Sequence, residues 1–171
     1  MALVEPGYVR TMATYNAAMN ARLYDAAARL SDDVRRADRG AFWRSVHGTL
    51  SHLVWADHIW MSRFDGWEKP SVVQKESGGM FADFEGLRAA RQEADARIKD
   101  WASRVDAAWT SGNITWKSGT SGMEMTMPAG YLVMHFFNHQ THHRGQAHAL
   151  ITGAGEKTGD TDLLGMVAPM P

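Results

Sequence analysis

The sequence predicts an all-α fold, an antiparallel four-helix bundle with a small β-hairpin between its third and fourth helices. Three observations lead there. Four stretches of helical periodicity are separated by glycine, proline and short polar breaks. One short stretch between the third and fourth instead alternates with period two. The chain is 171 residues long with 44% hydrophobic and 22% charged residues, enough for a single domain, 1–171, with a substantial core.

The first helical stretch is expected over roughly 8–30, carrying Leu23, Ala27 and Leu30 at helical spacing, with Leu30-Ser31-Asp32-Asp33 as its end and Arg39-Gly40 as a turn. The second is expected over about 41–65 and is stopped by Gly66 and Pro70. The third follows the Gly78-Gly79 break over about 81–109. The fourth begins at Pro128, a favoured first-turn residue, and ends at Thr152-Gly153, where glycine can take a left-handed cap. Between the last two, Asn113-Ile114-Thr115-Trp116-Lys117 and Met123-Glu124-Met125-Thr126-Met127 alternate around Gly119 to Gly122, the pattern of a hairpin. The glycine-rich stretch after Gly153, ending Ala168-Pro169-Met170-Pro171, reads as an irregular tail.

Composition narrows the chemistry. There are 18 Lys and Arg against 19 Asp and Glu, a formal net charge of −1, so no electrostatic argument favours nucleic acid or an anionic membrane as partner. With no cysteine, disulfides, thiolate metal sites and a cysteine nucleophile are excluded, and any thiol must arrive on a small molecule. No apolar run approaches the ~18 residues of a membrane span, and 1–10 has no signal-like apolar region; a cytoplasmic protein is the expectation.

The histidines carry the functional signal. Of eight, five fall in the fourth stretch: His135, His139, His142, His143 and His148. On a helical wheel Leu132, Phe136, Ala147 and Leu150 mark the buried face. His139 and His143 lie in the middle of it, His135 and His142 at its margin, and His148 points away. Two imidazoles one turn apart on the core face can reach one metal ion. In the second stretch His52 flanks the stripe formed by Phe42, Val46, Leu53, Trp60 and Phe64, while His47 and His58 turn away and read as solvent residues. The wheel alone leaves His52 open between ligand and core flank.

Buried neutral imidazoles need partners for every ring nitrogen, and an apolar bundle offers few. A divalent cation resolves one nitrogen of each ring, and three such ligands leave a coordination position open, as in catalytic rather than closed sites. Asp57 lies within the apolar stripe. It either orients a ligand imidazole by accepting its hydrogen bond or is neutralised by a backbone amide or an arginine. Arg144 and Gln146 either bind substrate or fix helix packing. Trp60, Trp67, Trp116 and the methionines read as core lining.

The string Asn138-His139-Gln140-Thr141-His142-His143-Arg144-Gly145-Gln146, preceded by His47-Gly48-Thr49-Leu50-Ser51-His52-Leu53 and Ala56-Asp57-His58-Ile59-Trp60, resembles the DinB family of damage-inducible four-helix proteins, which are unrelated to the polymerase sharing that name. The likeness runs from Tyr15-Asn16-Ala17-Ala18-Met19-Asn20 to Thr161-Asp162-Leu163. It implies metal ligands at His52, His139 and His143, a zinc, nickel, iron or manganese ion, and a homodimer. It also implies a metal-dependent transferase using a low-molecular-weight thiol on a small-molecule substrate, a detoxification or stress activity. A metal-dependent hydrolase and a non-catalytic stress protein with a structural or sensing metal are the alternatives. No recognition-helix pattern supports DNA binding.

Overall fold

A computed structural model describes residues 3–119 and 122–166. Residues 1–2, 120–121 and 167–171 lie outside this range, among them part of the expected Gly119-to-Gly122 turn and the end of the expected tail. The chain is mostly helical, 67% by residue, with one two-stranded antiparallel sheet. The elements are α1 (Pro6–Ala28), α2 (Asp32–Arg36), α3 (Val46–Phe64), α4 (Phe84–Arg104), α5 (Ala107–Ser111), β1 (Asn113–Lys117), β2 (Glu124–Pro128) and α6 (Ala129–Gly153). Two short 3-10 segments, Gln74–Gly79 and Leu163–Met166, complete them. Among the described residues no helix is long and apolar enough to cross a membrane.

The four long helices are those the periodicity predicts, with boundaries set by local chemistry. Ser45 caps α3 by accepting from the Gly48 amide, and Asp83 caps α4 through the Gly86 amide. Helix α3 therefore starts at Val46 rather than at position 41. Residues 41–45 form a tight turn, closed by an Ala41–Arg44 bridge, in which Arg44 takes a φ of 67°. Phe42 consequently falls outside the helix and is 77% exposed, not part of the apolar stripe. The third stretch breaks at Val105, and Asp106 caps the separate α5. Ser31 caps the short α2, where the sequence suggested only a helix end. The hairpin pairs Ile114 with Met127 and Trp116 with Met125.

Helix α1 packs against α4 and α6, and α3 packs against the same two. Between them the apolar core divides in two. One cluster contains Val9, Met61, Phe64, Trp67, Ile98, Trp101, Phe136 and Phe137, with Trp60 and Trp116 half-buried against it. The other contains Leu23, Ala27, Leu30, Leu50, Leu53, Leu87, Leu150 and Ile151. Of the methionines expected in the core, Met19 and Met61 are buried but Met123, Met125 and Met134 are exposed.

Along each long helix, buried polar residues fall between the stretches that feed the two clusters: Asn16 and Asn20 on α1, Asp57 on α3, Arg91 and Asp95 on α4, Gln140 and Arg144 on α6. Arg91 donates to Asp57 at 2.5 Å and pairs with Asp95 at 2.9 Å. Asn20 donates to Asp95 at 2.9 Å, and Gln140 donates to Asp57 at 2.7 Å. This layer ties all four helices together at the level of the histidines of α6.

Candidate metal centre

His139 and His143 stand one turn apart on α6, and α3 brings His52 against them. Ring centroids are 4.4 Å apart for His139 and His143, 4.7 Å for His52 and His143, and 5.6 Å for His52 and His139. One nitrogen from each ring lies within 4.8 Å of the other two, so the three could hold a metal ion. Nitrogens bound to one tetrahedral ion at ~2.0–2.1 Å stand about 3.3 Å apart. Small side-chain rotations close the difference.

The surroundings select which nitrogens face inward. His143 Nδ1 donates to Gln146 Oε1 at 2.7 Å, one turn along the same helix. His52 Nδ1 meets Ser77 Oγ at 2.9 Å. With Nδ1 of His52 protonated towards Ser77, as Nδ1 of His143 is towards Gln146, both Nε2 lone pairs would be free for a metal ion, the arrangement that fixes tautomer and ring orientation in histidine metal sites. Ser77 is held in turn: it sits in the 3-10 turn Gln74–Gly79, is fully buried, and its carbonyl accepts from Ser51 at 2.6 Å.

Indoles clamp the His52 ring. Trp43 stacks on it with centroids 4.0 Å apart and planes 19° apart, and Trp55 lies near-parallel at 5.7 Å. Trp43 reaches this position because Gly48 has no side chain: a Cβ there would stand 2.3 Å from the Trp43 carbonyl oxygen. A Cβ at Gly78 would stand 3.5 Å from the Trp43 ring, an ordinary contact, so the close approach depends on Gly48 alone of the two.

Burial also sets the charge state. Desolvation, followed by the neighbouring imidazoles His143 and His139, pulls the His52 pKa down to about 3. Desolvation and the imidazoles around it pull His139 down to about 4. Desolvation lowers His143 as well, partly opposed by its bond to Gln146. All three rings are therefore neutral at neutral pH, the form that binds metal. The donor set, three neutral imidazole nitrogens, suits a first-row divalent ion such as zinc or nickel.

The other sequence-predicted residues divide. Asp57 is 1% exposed and its two oxygens accept from Arg91 and Gln140, so the arginine partner, not a ligand imidazole, neutralises it. Gln146 touches the site directly through His143. Arg144 turns towards α1, donating to Asn16 Oδ1 and to Thr141 Oγ1 at 3.1 Å over the Tyr15 ring. Desolvation pulls its pKa to about 10, leaving it charged.

Among the remaining histidines, His135 and His142 are exposed and His148 is half-buried against Thr158 at 2.7 Å. His58 is half-buried, edge-on to Trp67. His47 corrects the wheel outright. It is 2% exposed, because the segment before α4 covers that side of α3 and the Phe81 carbonyl accepts from its Nε2 at 2.9 Å. Ser77 and Trp43 were missed by sequence reasoning. Their only early signals were a serine beside Gly78-Gly79 and a tryptophan just before the α3 cap.

The chain matches a family model, described as the DinB family, over residues 4–169. No curated protein and no solved structure matches it. With nearly the whole chain covered and the three histidines drawn together from α3 and α6, the protein belongs to the DinB family.

Proposed function

We propose that this protein is a metal-dependent enzyme in which His52, His139 and His143 hold one divalent ion, zinc or nickel, inside a four-helix bundle. The reaction is a thiol-dependent transfer onto a small electrophilic substrate. The observation that supports this reading best is the convergence of three neutral imidazoles with two Nδ1 atoms already engaged by Ser77 and Gln146. Packing alone gives no reason to gather one nitrogen from each of three imidazoles within 4.8 Å of one another. Three protein ligands leave a coordination position for a small molecule. A divalent ion held by His52, His139 and His143 would lower the pKa of a thiol or water or polarise a carbonyl.

The chain's own residues have defined parts in this reading. Ser77 and Gln146 hold the ring tautomers, and Trp43 and Trp55 fix the His52 plane and exclude water from it. The absence of cysteine requires the thiol to be a low-molecular-weight co-substrate. With water in place of the thiol the same residues serve a hydrolase, the close variant; iron and manganese are the other candidate ions. A cytoplasmic homodimer is the assembly this reading assumes.

Elemental analysis of protein purified without a histidine tag, wild type beside His139→Ala, tests the site. About one equivalent of metal in the wild type and little in the variant is the expected result. A wild type that is metal-free and takes up neither zinc nor nickel refutes the metal reading. Thiol-transfer and hydrolase screens with the recovered metal then test the reaction. Equal turnover by wild type and His143→Ala would rule out catalysis at this centre. A chelator that unfolds the protein would assign the metal a structural role, that of a non-catalytic stress protein.

A further inference from the structure

A cavity of about 180 Å³ lies on the flank of α6 that faces α1. Met19, Leu23 and Tyr15 form one wall, and Thr141, Arg144 and Gly145 form the other. The segment after α6 crosses over it. Tyr15 donates to the Thr161 carbonyl at 2.5 Å, Arg22 donates to the Asp160 carbonyl, and Arg29 holds Glu156 at 2.7 Å.

Two features of this cavity have no explanation in the fold. Arg144 is 6% exposed, yet every contact it makes is with a neutral group: the Asn16 amide oxygen, the Thr141 hydroxyl and the Tyr15 ring. Among the described residues no carboxylate lies within ion-pair distance of it; Asp57 and Asp95, both engaged by Arg91, attract it only from farther away. A buried guanidinium with no carboxylate in direct contact keeps donor capacity for an anion. The second feature is Gly145, in the interior of α6, where glycine weakens a helix relative to alanine. A Cβ at Gly145 would meet no atom within 4 Å, whereas one at Gly48 would collide with Trp43. Packing therefore requires the glycine at position 48 but not at position 145, an exposed position on the cavity wall where a larger side chain has room to enter.

We propose that this cavity binds a small organic carboxylate, its carboxyl group on Arg144 and its apolar body against Met19 and Leu23. The planar guanidinium fork matches a carboxylate. Arg144 is the buried cation of the lining and Arg22 an exposed second one; the apolar wall of Met19 and Leu23 suits a hydrocarbon body better than a phosphate. The volume is adequate for one aromatic ring, since a cavity of ~150 Å³ holds benzene. The site is separate from the histidine cluster, and the proposal stands or falls independently of the metal.

The test is calorimetric titration of the purified protein with benzoate and with its neutral counterpart, benzyl alcohol. Benzoate binds, and benzyl alcohol binds about tenfold or more weakly, because a charge-assisted contact is lost. Arg144→Gln weakens benzoate by a similar factor. Gly145→Leu fills the cavity and abolishes binding while helical circular dichroism and metal content are retained. His139→Ala, which alters the histidine cluster and not the cavity, binds benzoate as wild type does. The proposal is overturned if wild type fails to bind benzoate, if benzyl alcohol binds equally, or if Gly145→Leu retains binding. Loss of binding in His139→Ala would place benzoate on the metal instead. Dissociation of a dimer by Gly145→Leu would show that a second copy occupies the space.

Discussion

Removing the hydroxyl of Ser77 should weaken metal binding more than removing the amide of Gln146, although each supports one histidine. In the metal-bound state His52 Nε2 is occupied, so Nδ1 must carry the proton and needs an acceptor. Ser77 Oγ, 2.9 Å away, is that acceptor. Ser77 is fully buried, His52 is 1% exposed, and Trp43 and Trp55 flank the ring, so no water can substitute in Ser77→Ala. An unsatisfied buried donor costs about 1–3 kcal/mol. At 1.4 kcal/mol per decade the affinity should fall by roughly 5- to 100-fold, the range seen when partners of metal-bound histidines are lost. Gln146 is half-buried, so in Gln146→Leu solvent can reach His143 Nδ1 and the loss should be only a few-fold. The Ser51 bond goes to the Ser77 carbonyl and survives the substitution, which keeps the 3-10 turn in place. Competition for zinc against a chromophoric chelator, run side by side on both variants and the wild type, measures the order. Equal affinities in all three proteins, or a larger loss in Gln146→Leu, would refute the assignment of Nδ1 roles.

Three further outcomes follow from the geometry. Arg91→Met leaves Asp57 and Asp95 buried without their shared cation and should cost about 3–5 kcal/mol in urea unfolding, while the double variant with Asp57→Asn recovers part of the loss; an unchanged midpoint would contradict the network. Gly48→Ala drives a Cβ to 2.3 Å from the Trp43 carbonyl and should destabilise by about 1–3 kcal/mol despite alanine's helix preference, with altered tryptophan fluorescence as Trp43 leaves His52. In metal-free protein, folded-state pKa values of about 3 for His52 and about 4 for His139 stand below the ordinary 6.5, so the unfolded chain takes up protons first on acidification. Stability is then complete above pH 6.5 and falls as pH drops towards 4 and 3. His47 and His143 act in the same sense, while Asp95, raised by burial, opposes them at the acid end. Denaturation midpoints measured from neutrality downwards check the sign, and a midpoint that rises on acidification would refute it.

Periodicity alone located the four long helices, the hairpin and the placement of His139 and His143 on the core face of α6. Each is a repeat local to one segment, 3.6 or 2 residues long, and local repeats are visible in a chain. The same logic left His52 undecided and put His47 in solvent, because a wheel reports one helix's own apolar face and not what packs on its other sides. The segment between α3 and α4 covers His47 with the Phe81 carbonyl and brings Ser77 to His52, a contact across 25 residues. Asp57 shows the same limit: sequence marked it as a carboxylate in an apolar stripe, and only α4 supplies Arg91 to neutralise it. What the sequence determined by itself was which faces are apolar and where two imidazoles must stand together. Which third imidazole joins them, and which groups hold their protons, was decided by tertiary packing, because those partners come from elements whose approach no local pattern encodes.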